Sequence, residues 1–93
     1  MSYFDWNREK NEYLKKEREI SFEAVVVAIE SGALLETIAH PNPKRYPKQK
    51  IFVVKIEDYA YLVPFVENQE KIFLKTIIPS RKATKKYLKR RKR

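Results

Sequence analysis

His40 is the only histidine in a chain of 93 residues that holds no cysteine and one glycine, while lysine and arginine together number 21. Those counts remove the common metal and thiol chemistries. There is no thiolate zinc set, no thiol nucleophile, no HExxH pair and no glycine-rich phosphate loop. No clustered carboxylate set of the kind a magnesium-dependent nuclease needs is present either, and no cofactor is expected. Lysine, arginine, tyrosine and a single histidine suit one reaction well, the cleavage of RNA without a metal, in which the 2′-hydroxyl of the substrate is itself the nucleophile. The protein then needs a base, an acid for the leaving 5′-oxygen and positive charge around the phosphorane. A lysine crowded by other cations can serve as base, and arginine grips phosphate in bidentate fashion. The same residues also fit a module that binds RNA or the ribosome without cutting. A DNA-binding regulator fits less well, because no helix-turn-helix signature is found.

Four residues are candidates for the reaction and seven for holding RNA. Arg81 stands where an apolar run gives way to a basic helix, and its plain alternative is a solvated first-turn residue. Lys75 shares a strand face with Phe73, where a charge is costly unless that face opens to solvent or substrate. His40 is the one side chain of a type suited to proton transfer near neutral pH, although a histidine before proline often serves a turn. Lys10, one charge on a charged helix, is the fourth candidate. Arg45, Tyr46 and Lys48 form a basic-aromatic cluster suited to phosphate contact and base stacking, or a solvated loop with Tyr46 packed on the sheet. Lys82, Lys85, Lys86 and Tyr87 on the last helix complete the RNA-binding set. Ala83, Thr84 and Leu88 on the same stripe also make Tyr87 a docking residue.

Residues 7–19 read as a surface helix with a thin apolar stripe at Tyr13 and Leu14, with Asp5 or Asn7 as N-cap. A second helix is capped by Ser21, carries Phe22, Val25, Val26 and Ile29 at i, i+3, i+4 and i+7, and ends at Gly32. Phe4 and Trp6 read as core. Beyond Gly32 the pattern turns to β: a strand over 33–39, a proline-rich loop over 40–49, and apolar runs over 50–56, 59–66 and 71–78 at hairpin spacing. Pro64 inside the middle run predicts a bulge or an unpaired backbone position. In the third run, alternation places Ile72, Leu74, Thr76 and Ile78 on one face, so that one face of the sheet covers the helices and the other is partly polar. Ser80 caps a final helix. The predicted order is α-α-β-β-β-β-α, an α+β fold of two N-terminal helices and a C-terminal helix on a four-stranded, mainly antiparallel sheet.

The chain reads as one domain, 1–93, whose residues 89–93 are a basic tail. Its formal charge is +9, and the whole excess lies in residues 81–93, which carry nine lysines or arginines and no acid. A basic end on a neutral body points to a polyanionic partner rather than to a need of the fold. No apolar run is long enough to span a membrane and no leader is evident, so a cytoplasmic location without a membrane partner is expected.

Two stretches carry a resemblance to a known family. Phe4-Asp5-Trp6-Asn7-Arg8-Glu9-Lys10-Asn11, followed at fixed spacing by Ile20-Ser21-Phe22-Glu23-Ala24, resembles the opening pattern FxWDxxKxxxNxxKHGVSFEEA of BrnT-type toxins. Ile77-Ile78-Pro79-Ser80-Arg81-Lys82-Ala83-Thr84-Lys85-Lys86 is similar to their IISARKATRRE. The family's Lys-His-Gly reads Glu17-Arg18-Glu19 here, and its Ser-Ala-Arg reads Pro79-Ser80-Arg81. The resemblance covers nearly the whole chain. It implies a RelE-like fold, an mRNA-cleaving toxin that inhibits translation, with ribosome-bound message as one form of the substrate, and a cognate ribbon-helix-helix antitoxin that binds DNA. It also places Lys10 at the family's lysine position.

Overall fold

The computed structural model describes residues 3–89, with side chains through Leu88, and the fold is α+β. The expected tail at residues 89–93 lies outside this region apart from the backbone of Lys89. Among the described residues six strands, β1 (Tyr3–Trp6), β2 (Leu34–Ala39), β3 (Gln49–Ile56), β4 (Tyr59–Glu67), β5 (Lys71–Leu74) and β6 (Ile78–Pro79), form one mixed sheet in the order β1-β5-β4-β3-β2, with β6 also paired to β4.

α1 (Arg8–Arg18) starts at Asn7, whose side chain accepts the Lys10 N–H at 2.8 Å, and ends at Glu19 in a left-handed conformation. The helix buries only Asn11 and Leu14. Asn11 is 3% exposed yet fully used: its Oδ1 accepts the Phe22 N–H at 2.8 Å and its Nδ2 donates to Glu23 Oε1 at 2.8 Å. One buried amide thus ties α1 to the first turn of α2 (Phe22–Glu30), which Ser21 caps and Gly32 follows at φ 94°.

β3 (Gln49–Ile56) and β4 (Tyr59–Glu67) form an unbroken hairpin from Gln49↔Val66 to Ile56↔Tyr59. Its two-residue turn, Glu57-Asp58, has both residues at positive φ, the geometry that matches strand twist. Ile51, Phe52, Val53 and Val54 are all buried, which requires cover on both faces. On one side α1 and α2 pack Leu14, Phe22 and Val25 on Phe52, Val54, Val63, Phe65, Leu74 and Ile77. On the other, the C-terminal helix sets Ala83 on Val53 and Ala60. The expectation that one face carries all the helices and the other stays partly polar is therefore corrected.

Two further corrections concern strands. Tyr3–Trp6, which the expected four-stranded sheet left out, is a strand, β1, paired in parallel with β5 (Lys71–Leu74). It delivers Trp6 to stack on Phe22, ring centroids 5.7 Å apart, and Phe4 edge-on to Phe52. The run 71–78 is not one strand either. β5 ends at Leu74, and the chain resumes pairing only as β6 (Ile78–Pro79) against Tyr61 and Leu62. The cause lies across the ladder at Pro64, which has no N–H to offer; its carbonyl accepts the Lys75 N–H at 2.8 Å and regular pairing stops there. Pro64 keeps its register with Ile51 on β3, so the proline interrupts the ladder on its other side through its missing N–H and makes no bulge. The break lets Leu74 and Ile77 enter the same core, which strict alternation forbids. The bulge in this sheet lies instead in β2 (Leu34–Ala39), between Leu34 and Glu36.

No helix among the described residues is long and apolar enough to cross a membrane.

Candidate functional site

α3 (Arg81–Thr84) runs on as a π-helical turn, Lys85–Lys89. Its start is fixed by a clamp on one residue of β4. Ser80 N–H donates to the Ala60 carbonyl at 3.0 Å, and Thr84 Oγ1 accepts the Ala60 N–H at 2.9 Å while donating to the Ser80 carbonyl at 2.8 Å. Ser80 Oγ also caps the helix by accepting the Ala83 N–H at 3.0 Å. At the far end Tyr87 packs against the second core cluster, and its hydroxyl donates to the Glu36 carboxylate on β2. With Ala83, Thr84 and Tyr87 turned to the sheet, Arg81, Lys82, Lys85 and Lys86 are left exposed. The Lys86 ammonium lies 5.2 Å from the Tyr87 ring centroid.

The second group of candidates sits in the loop between β2 and β3. Asn42 organises it: its N–H donates to His40 Nδ1 at 3.0 Å, and its side chain accepts the Arg45 N–H at 3.3 Å. Its carbonyl accepts the Tyr46 N–H at 3.0 Å. As a result the His40 ring lies 4.4 Å from the Tyr46 ring, and the Arg45 guanidinium lies 5.6 Å from the Tyr46 centroid. The Asn42 bond to Nδ1 directs the ring proton of His40 to Nε2. Lys48 is exposed close by in sequence.

Lys75 is exposed just beyond β5, its ammonium 6.0 Å from the Phe73 ring. Lys10 belongs to α1, which packs on the face of the sheet opposite α3.

The β3–β4 ladder sets the distances between these groups. The loop joins it at Gln49, α3 is clamped at Ala60 opposite Lys55, and Lys75 meets it at Pro64. At about 3.3 Å per residue, Gln49 and Lys55 are roughly 20 Å apart. The His40 loop and α3 are therefore attached at opposite ends of the ladder, Lys10 lies on the other face, and the ladder brings the four candidates for catalysis to no single point. What the fold does assemble is a strip. α3 crosses from Ala60 on β4 to Glu36 on β2, and β2 leads on to His40. Asn42 and Glu36, which arrange the candidates, were not singled out from sequence.

Among the described residues no group of three or more His, Cys, Asp or Glu side chains could hold a metal ion. No protein-family model matches the chain, and no curated protein or solved structure matches it.

One carboxylate is electrostatically tuned. The Asn11 amide beside Glu23 holds its carboxyl below the usual 4.5, with a smaller contribution from Lys15. Glu23 lies at the start of α2, away from the strip, so the tuning serves the helix corner.

Proposed function

We propose that this chain is the toxin component of a type II toxin-antitoxin pair, an endoribonuclease that cuts mRNA without a metal and so inhibits translation. Its partner would be a cognate antitoxin with a ribbon-helix-helix DNA-binding domain, and both would act in the cytoplasm on the RelE-like fold. The observation that carries this reading is the clamped junction from Ser80 to Thr84, which presents Arg81, Lys82, Lys85 and Lys86 outward from a helix bound to the sheet. Cations fixed in this way offer a polyanion a preorganised surface. The stacked His40, Tyr46 and Arg45 add an aromatic face and a guanidinium of the kind that unpaired bases and phosphates take.

In this reading Arg81 holds the phosphate and a lysine of α3 moves the proton; His40 and Lys75, which the fold attaches away from α3, would contact the RNA strand elsewhere, and Lys10, the family's lysine by the resemblance, lies on the opposite face of the sheet and would take no part. Arg45, Tyr46, Lys48, Lys82, Lys85, Lys86 and Tyr87 bind the RNA strand. The resemblance to BrnT-type toxins gains support from two positions. The pattern's glycine falls on Glu19, whose φ of 56° is the conformation glycine favours. Its Ala-Thr falls on Ala83 and Thr84, the two residues of α3 that are buried.

The roughly 20 Å of ladder between Gln49, where the His40 loop joins, and Lys55, opposite the anchor of α3, favours a second reading, an RNA- or ribosome-binding module that does not cut. Incubating purified protein with RNA in EDTA separates the two. Cleavage that stops when the substrate carries 2′-deoxyribose, and that falls at least a hundredfold in Arg81→Ala, is expected for the nuclease. Intact RNA that is nonetheless bound supports the module. Expression of the chain alone that leaves growth and message unchanged would overturn the toxin reading.

A further inference from the structure

Across the sheet from α3, the corner between α1 and α2 meets the end of the β3–β4 hairpin and leaves a cleft of about 390 Å³. Ile20, Ile56 and Tyr61 give it an apolar, half-buried floor, and Glu19, Glu57 and Lys15 stand on its rim. That volume is in the range of sites that take one long side chain or a small ligand.

The two rim glutamates break a local rule. Among the described residues three non-glycine positions have left-handed backbone, Glu19 at φ 56°, Glu57 at 51° and Asp58 at 70°. Glycine or asparagine would sit at a helix end or in a two-residue turn with less strain. Two glutamates are kept in this conformation, and both open onto the same cleft. Among the described residues neither carboxylate takes part in a hydrogen bond or an ion pair. Lys15, by contrast, is turned toward Glu12 at 3.4 Å and Glu23 at 4.0 Å. The free charge at the cleft is therefore negative, over an aromatic and aliphatic floor. This is the opposite character to the α3 surface and to the chain as a whole. Because charges are screened beyond about 8 Å at physiological salt, the local rim decides what can bind there.

We propose that this cleft docks an arginine side chain presented by a partner protein. The aliphatic stem lies on Ile20 and Ile56, the guanidinium plane stacks on Tyr61, and its N–H groups reach Glu19 and Glu57. Arginine fits better than lysine because its planar, weakly hydrated head both stacks and forks. The docking is independent of any RNA reaction, since the two surfaces lie on opposite faces of the sheet and can be occupied together.

The test is an amide chemical-shift titration of the full chain with a five-residue peptide that has arginine between leucines, alongside the same peptide with glutamate in that place. The arginine peptide is expected to move the resonances of residues 19–21, 24, 56 and 57, and the glutamate peptide to leave them still. Glu19→Asn and Glu57→Asn each suit the local backbone, so both variants stay folded, and each is expected to weaken binding about tenfold. Lys15→Gln is expected to strengthen it. Equal shifts with the glutamate peptide, unchanged affinity in the asparagine variants, or shifts confined to α3 would each overturn the proposal.

Discussion

Replacing Thr84 with valine removes one hydroxyl from a side chain that is 2% exposed and changes its shape little. The two groups that hydroxyl serves do not suffer equally. The Ser80 carbonyl keeps the Thr84 N–H as a donor at 3.0 Å, so its loss is small. Ala60 is fully buried, and its N–H, now satisfied at 2.9 Å, is left without protein partner or water. An orphaned buried donor costs about 1–3 kcal/mol. The added methyl returns about 0.8 kcal/mol, and the helix propensities of threonine and valine nearly cancel. The net loss is about 0.2–2.2 kcal/mol, centred a little above 1 kcal/mol, which in a domain of this length lowers Tm by roughly 1–18 °C. Thermal unfolding read by circular dichroism, with a urea titration to show an unchanged m-value, measures it. Thr84→Ser restores the hydroxyl and gives up only a methyl, about 0.8 kcal/mol, so it should be the more stable of the two variants. A valine variant as stable as the parent, or less damaging than serine, would refute the clamp as the attachment of α3. An α3 that binds RNA would also lose affinity in the valine variant, because its cations are no longer held in place.

Three other measurements bear on the same structure. In an RNA titration over salt, Lys82→Ala and Lys86→Ala should each reduce the slope of log affinity against log salt by about 0.7 per lost single-strand contact, while Lys10→Ala, across the sheet, should leave it unchanged. Glu57→Asn relieves a left-handed glutamate in the hairpin turn and should raise Tm by several degrees, on the order of 1 kcal/mol, in a thermal melt. Glu23 has a folded pKa below its unfolded value, so its contribution is present above the ordinary carboxylate value of 4.5 and is lost as pH falls through the lower, folded value. Unfolding curves of the parent and Glu23→Gln should therefore differ at neutral pH and converge in acid, and a constant gap at all pH would sink the linkage.

Elements whose signals are local were legible. α2 could be read because Ser21, the spacing of Phe22, Val25, Val26 and Ile29, and Gly32 all agree within a dozen residues. The β3–β4 hairpin followed from two apolar runs and a two-residue gap. Elements decided by distant partners were not. Tyr3–Trp6 is four residues with no turn signal, and it is a strand only because Lys71–Leu74 lies beside it. The run 71–78 looks continuous, and the proline that interrupts it stands on another strand. The unbroken apolar stretch Ile51–Val54 did carry the information that both faces are covered, and alternation elsewhere obscured it. Site residues followed the same division. Arg81, His40 and Tyr46 could be named by type, whereas Asn42 and Glu36 matter through the bonds they make. The cleft at Glu19 and Glu57 had one sequence signal, glutamate at two positions where glycine or asparagine is the usual choice.

The parallel pairing of β1 with β5 has a consequence in time. Tyr3 finds its partner Lys71 only after everything between them has been made, and closing so long a loop costs entropy before any contact repays it. The α1–α2 corner and the β3–β4 hairpin can form early from near neighbours. β1 can be joined only once Lys71–Leu74 has been made, so until then Phe4 and Trp6 lack that neighbour, and bare aromatic surface of this kind makes a nascent chain prone to stick to others.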